Sequence, residues 1–164
     1  MKFHSSTVQT RYASPLGPMI VAATDAGLAG LWFEGQRHLP ESSGWPQAPA
    51  HPVLVQAVAQ LDEYFAGRRS GFDLPLDLQG GTAFQQSVWQ ALLAIPAGAT
   101  TSYGAISAQV GRPAAVRAVG AAIGRNPVSI VVPCHRVLGR DGGLTGYAGG
   151  LERKSALLAL EQAH

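Results

Sequence analysis

Between Ser102 and Gly124 the chain is punctuated so closely that only two short helices fit. Ser102 can accept from the free N–H groups of a helix start, and Gly111 is a natural stop. Pro113, its φ already near the helical value, suits the first position of a second helix running to about Gly124. Two short helices joined by a tight glycine turn predict a helix-turn-helix. On the wheel of the second helix, Val116, Val119 and Ile123 form a narrow apolar stripe toward a core. The opposite face carries Ala114, Arg117, Ala118, Ala121 and Arg125, small side chains from which only arginine projects. Such a face lets a groove approach closely, and the arginines favour nucleic acid over a packed helix.

The elements around this unit divide the chain in two. Met19–Thr24 and Leu28–Phe33 read as strands joined by the turn Asp25-Ala26-Gly27. Residues 35–52, rich in Pro, Gly, Ser and His, read as a loop. Leu54, Val58, Leu61 and Phe65 fall at helical spacing before Gly67. Gly80-Gly81 is the expected linker. Beyond it, Thr82 and Gln85 form a capping-box pattern ahead of the stripe Phe84, Val88, Leu92 and Ile95. An extended segment is expected over Val128–Val137, then a wing-like hairpin at Gly139–Gly143 and a last helix over about Leu151–Gln162. The fold class is therefore α+β, with a β-rich unit over 1–80 and a mainly helical unit over 81–164.

Charge follows the same division. Residues 1–80 carry five Lys/Arg against seven Asp/Glu, and residues 81–164 carry seven against three. A polyanion partner for the second half alone is the expectation, with Arg112, Arg117, Arg125, Arg136, Arg140, Arg153 and Lys154 supplying the charge. No stretch is apolar enough to span a bilayer and the start lacks a signal-peptide core, so a reducing, cytoplasmic setting is expected.

Cys134 is the only cysteine, set in Pro133-Cys134-His135-Arg136. It has no partner for an internal disulfide, and the five histidines show no metal-ligand spacing, so neither a metal nor a cofactor is inferred. A thiolate is the nucleophilic form, so Cys134 needs a group that takes its proton. In an extended segment His135 would point away from its neighbour, which makes a bridging water the natural route. The imidazole in turn needs a partner, and Glu152 and Glu161 are both available. Asn126-Pro127 can hold the junction between recognition helix and cysteine segment. Gly146-Tyr147-Ala148-Gly149-Gly150 offers backbone N–H groups with little steric cover, suited to a tight pocket for a flat ligand.

Taken in order, Ser14-Pro15-Leu16-Gly17-Pro18, Gly30-Leu31-Trp32-Phe33, Phe84-Gln85, Val88-Trp89, Ile95-Pro96, Ser102-Tyr103-Gly104, Arg117-Ala118-Val119-Gly120, Asn126-Pro127, Pro133-Cys134-His135-Arg136 and Thr145–Gly150 resemble the O6-alkylguanine-DNA alkyltransferases. The resemblance implies a ribonuclease-H-like N-terminal domain and a C-terminal winged-helix DNA-binding domain. It implies direct reversal of DNA damage, with Cys134 taking the alkyl group from O6 of guanine, or O4 of thymine, once per molecule. His135 would act through water and Glu161, rather than Glu152, would orient it; Asn126 and Tyr103 complete the implied catalytic set. Arg117 would enter the duplex, with Ala114, Ala118, Ala121, Tyr103 and Arg136 also on the DNA. Main-chain groups around Cys134, Val137, Tyr147, Ala148 and Gly149 would hold the base. The implied partner is duplex DNA with an alkylated guanine, bound through the minor groove by a monomer that could cluster cooperatively. A non-catalytic lesion-binding protein is the alternative, and the cysteine argues against it.

Overall fold

The structure is a computed structural model that describes residues 1–162. Three antiparallel strands, β1 (Val8–Ser14), β2 (Gly17–Thr24) and β3 (Gly27–Phe33), form a sheet in sequence order. The β2–β3 turn falls on Asp25-Ala26, with Gly27 at φ 150°, where a side chain would collide with the Pro75 carbonyl. Helix α1 (Pro52–Phe65) packs on one face through Leu54, Ala57, Leu61 and Tyr64 and ends before Gly67 in the left-handed region. Phe3, Trp32 and Trp45 close the other face as an aromatic cluster.

The second half is helical. Helix α2 (Ala83–Leu93) has the expected capping box, Thr82 accepting from the Gln85 N–H while the Gln85 side chain accepts from Thr82. Gly81 lies so close to the Trp89 ring that any side chain there would collide with it. Then come strand β4 (Thr101–Ser102), helix α3 (Tyr103–Gln109) capped by Ser102, and helix α4 (Val116–Gly124). Helix α4 starts three residues later than Pro113 suggests, because the Ala115 N–H closes a turn on Arg112. Val116 is 41% exposed, so the core stripe is Val119, Ala122 and Ile123, and Val116 joins the outward face. Strand β5 (Val137–Leu138) pairs with β4 in parallel, and α5 (Leu151–Gln162) ends the described chain.

Residues 128–137 are not one extended strand. They fold back as turns and close on a 3-10 turn, Cys134–Arg136. The Leu31 N–H donates to the Pro127 carbonyl at 2.8 Å and the Ser129 N–H to the Leu31 carbonyl at 3.0 Å. The segment leading to Cys134 is thereby hung on the outer edge of β3. One apolar core runs from Tyr12 in the first half to Leu157 in the last helix, so the two halves position each other. No described helix is long and apolar enough to cross a membrane.

Candidate active site

Asn126 shapes the approach to Cys134. Its Nδ2 donates to the Val132 carbonyl at 2.7 Å and its Oδ1 accepts from the Val128 N–H at 3.0 Å. A buried amide satisfied at both ends pins a six-residue bend. Ile130, within that bend, sits at φ 72°, a region that β-branched residues avoid. The strain is held at the functional end of the molecule, where the surrounding core over-determines it.

The 3-10 turn then parts Cys134 from its two neighbours. Cys134 lines a cavity of about 340 Å³, within the range of small-molecule sites. His135 and Arg136 point to Glu161 on α5. His135 Nε2 lies 2.7 Å from Glu161 Oε2; Arg136 donates from Nε to Oε1 at 2.8 Å and from Nη2 to Oε2 at 2.9 Å. All three residues are buried. Of the two carboxylates left open by the sequence, Glu161 is the one that meets His135.

Arg136 is therefore not a DNA contact. It is 6% exposed, and its remaining donor Nη1 reaches the Ile95 carbonyl at 2.6 Å. A buried carboxylate needs a fixed cation more than the surface needs one more charge. Lys154 leaves the basic surface in the same way, and Arg153 is half-buried. Arg153 donates to the Leu16 carbonyl and lies over the Phe33 ring. The fully buried Lys154 donates from Nζ to the carbonyls of Val137 (2.6 Å), Thr145 (2.7 Å) and Gly146 (3.2 Å). Arg112, Arg117, Arg125 and Arg140 remain exposed.

Burial pushes the Cys134 thiol up to about 11, against the pull of the Asn126 amide and the Lys154 ammonium. At neutral pH it rests as a thiol. Burial also holds His135 below its ordinary value, opposed by Glu161. Burial would raise the Glu161 carboxyl too, but hydrogen bonds from Arg136, His135 and Tyr64 overrule it and bring it down to about 2. The site thus holds a fixed negative charge beside a neutral imidazole. His135 Nδ1 has no hydrogen-bond partner among the described residues and is the nitrogen left to accept a proton.

The cavity is bounded by Tyr103, by Gly120 and Ala121 of α4, and by Gly146, Tyr147 and Ala148 of the glycine-rich loop. The Tyr103 hydroxyl donates to the Thr145 carbonyl at 3.1 Å. Val137 and Gly149 do not line it. Val137 is fully buried with its carbonyl taken by Lys154, and Gly149 is wedged between the Tyr147 and Phe33 rings. Ala114, Arg117, Ala118 and Ala121 share the exposed face of the helix-turn-helix. The sequence reading missed Lys154 and Tyr64 as site residues, and missed Arg37 and His38, which reach the cavity rim from the first half. Lys154→Met should cost about 2–3 kcal/mol, because it strips one donor from three carbonyls. Urea unfolding of the variant against the parent checks this.

The chain matches two family patterns: "6-O-methylguanine DNA methyltransferase, ribonuclease-like domain" over residues 7–78, and the "DNA binding domain" of the same family over 83–163. It is 53% identical over 149 residues to the methylated-DNA–protein-cysteine methyltransferase of Mycobacterium leprae, covering 91% of this chain and 88% of that protein. It superimposes on the crystal structure of Mycobacterium tuberculosis O6-methylguanine methyltransferase with a TM-score of 0.87 at 48% identity, covering 96% of this chain and 93% of that one. A structure of Mycobacterium tuberculosis OGT in complex with DNA matches with a TM-score of 0.86 at the same identity, covering 96% and 92%.

Proposed function

The chain belongs to the 6-O-methylguanine DNA methyltransferase family, and on that footing we propose that Cys134 is its alkyl acceptor. The protein is a DNA-binding methylated-DNA–protein-cysteine methyltransferase that repairs DNA by direct reversal. The substrate is O6-alkylguanine in duplex DNA, with O4-alkylthymine as a second substrate. The observation that carries the residue assignment is the single thiol at a cavity wall, followed in the chain by an imidazole whose Nε2 is fixed by a buried carboxylate.

The chemistry follows from that arrangement. The Cys134 proton passes, through water, to His135 Nδ1, and Glu161 stabilises the imidazolium that forms. The thiolate sulfur attacks the saturated alkyl carbon; the S–C bond forms as the C–O6 bond breaks, and the electron pair stays with guanine, which takes up a proton. Tyr103, on the cavity wall, contacts the guanine ring. The backbone beside Tyr147 and Ala148 meets the base edge. The thioether product has no route back to a thiol, so each molecule acts once.

The guanine O6 lies inside a stacked duplex, so the nucleotide must be turned out into the cavity at a cost of a few kcal/mol. The face bearing Ala114, Ala118 and Ala121 is shallow enough to enter a minor groove, and Arg117 projects from it to fill the gap. Arg117→Ala should slow repair in duplex DNA by roughly 30–100-fold, the equivalent of about 2–3 kcal/mol. Reaction with the free alkylated base should be unchanged. Single-turnover rates on the two substrates decide it, and equal slowing on both removes the inserting role.

A mass measurement tests the whole reading. Incubation with a duplex carrying one O6-methylguanine should add one methyl group to the intact protein, localised to Cys134, and stop there. Lesion binding with no gain in mass would make the protein a damage sensor.

A further inference from the structure

Glu161 has a donor that comes from the other half of the molecule. Tyr64, on the last turn of α1, donates from its hydroxyl to Glu161 Oε2 at 2.6 Å across 97 residues of sequence. Tyr64 is fully buried, held between the rings of Phe65 (5.2 Å) and Phe72 (5.4 Å). Its ring needs only an apolar core, and its hydroxyl spends its one proton on the carboxylate that holds His135.

Oε2 is crowded. It receives Tyr64 Oη at 2.6 Å, His135 Nε2 at 2.7 Å and Arg136 Nη2 at 2.9 Å, while Oε1 receives, among the described residues, only Arg136 Nε. A carboxylate oxygen has about two lone-pair directions, so three donors on one oxygen share it. Each bond that Oε2 makes elsewhere drains charge from its bond to the imidazole.

We propose that Tyr64 is a positioning residue for alkyl transfer, through which the N-terminal half orients Glu161 and sets how strongly that carboxylate holds a proton on His135. The proposal rests on the relay of Cys134, His135 and Glu161 argued above. The groups facing Glu161 are Tyr64 from α1, His135 and Arg136 from the 3-10 turn, and Tyr147 from the glycine-rich loop; Lys154 of α5 acts on His135 and Cys134. Among them Tyr64 is the group that can lose its donor with a single oxygen atom and leave every charge in place.

Removing that donor leaves Oε2 to His135 and Arg136. The imidazolium becomes easier to form, so the acid limb of the transfer reaction moves to higher pH. In Tyr64→Phe a shift of about half to one pH unit is expected, a fraction of what a full charged hydrogen bond carries. The measurement is the single-turnover rate against pH on a duplex with one O6-methylguanine, for the parent, Y64F, E161Q and the double variant. Thermal melting reports folding separately. Titration of the His135 imidazole by NMR in the Cys134→Ser background reads the same shift without the reaction.

A raised limb in Y64F that disappears when E161Q is already present supports the role. A limb in Y64F that coincides with the parent, or a shift of equal size with and without Glu161, overturns it, leaving Tyr64 a core residue. If E161Q itself leaves rate and limb as in the parent, the relay falls and the Tyr64 role falls with it. If E161Q moves the limb and Y64F does not, only the Tyr64 role falls.

Discussion

Cys134→Ser protein, mixed with a duplex carrying one O6-methylguanine, should gain no methyl group over hours while binding that duplex about as well as the parent. The substitution changes one atom and little volume at a position 7% exposed, so the cavity wall and the 3-10 turn survive. What is lost is the nucleophile. Displacement at a saturated carbon requires a polarisable anion, and a serine hydroxyl ionises far less readily than a thiol. The buried environment that already pushes the Cys134 thiol up would push an alkoxide out of reach. His135 cannot compensate, because burial keeps it a weak base. The exposed residues Ala114, Arg117 and Ala118, proposed above to face DNA, lie on or just before α4 and are not neighbours of the replaced atom in the chain, so affinity should hold. Intact mass and a binding titration on the same sample read both halves of the expectation. A methyl group gained at the parental rate would place the acceptor elsewhere.

Much of the scaffold is written in local chemistry. Thr82 with Gln85, Ser102 with its N–H acceptor role, Gly67 and the Asp25-Ala26-Gly27 turn each mark an element end that the structure reproduces. Strand β1 escaped because its buried residues, Gln9 and Tyr12, are polar or amphipathic and do not alternate. The Gln9 side-chain Nε2 donates to the carbonyls of Ser42 and Trp45, partners more than thirty residues away. The stretch from Val128 to Val137 misleads in the opposite sense. Its apolar run has the composition of a strand, yet the Asn126 side chain captures one N–H and one carbonyl within it and bends it back.

At the site, residue types were legible and their depth was not. A cysteine beside a histidine announces a nucleophile wherever it sits. An arginine announces a charge, and nothing local to Arg136 says whether that charge meets water, phosphate or a buried carboxylate. The partners that decide it, Glu161 and the Ile95 carbonyl, lie 25 and 41 residues away. Tyr64 was invisible for the same reason, since α1 shows it only as one more aromatic residue on the inner face of a helix.

Arg136→Ala should therefore unfold more easily rather than bind DNA less tightly. The variant loses the bonds from Nε and Nη2 to Glu161 and from Nη1 to the Ile95 carbonyl, and it leaves Glu161 buried with only the neutral donors His135 and Tyr64. Breaking one side of a buried ion pair costs about 3–5 kcal/mol, a large share of the roughly 5–15 kcal/mol that holds a domain together. The pH dependence gives the signature. In the parent, Glu161 is depressed from 4.5 to about 2, so its contribution is fully present above pH 4.5 and is lost as the pH falls toward 2. In the variant, burial is opposed only by His135 and Tyr64, so the carboxyl rises from that depressed value and takes up its proton at a higher pH than in the parent. The stability gap between the two proteins should thus be widest at neutral pH and narrow on acidification to pH 4. Urea midpoints at both pH values measure it. An unchanged midpoint with weakened DNA binding would return Arg136 to the interface, against the burial and bonding that remove it.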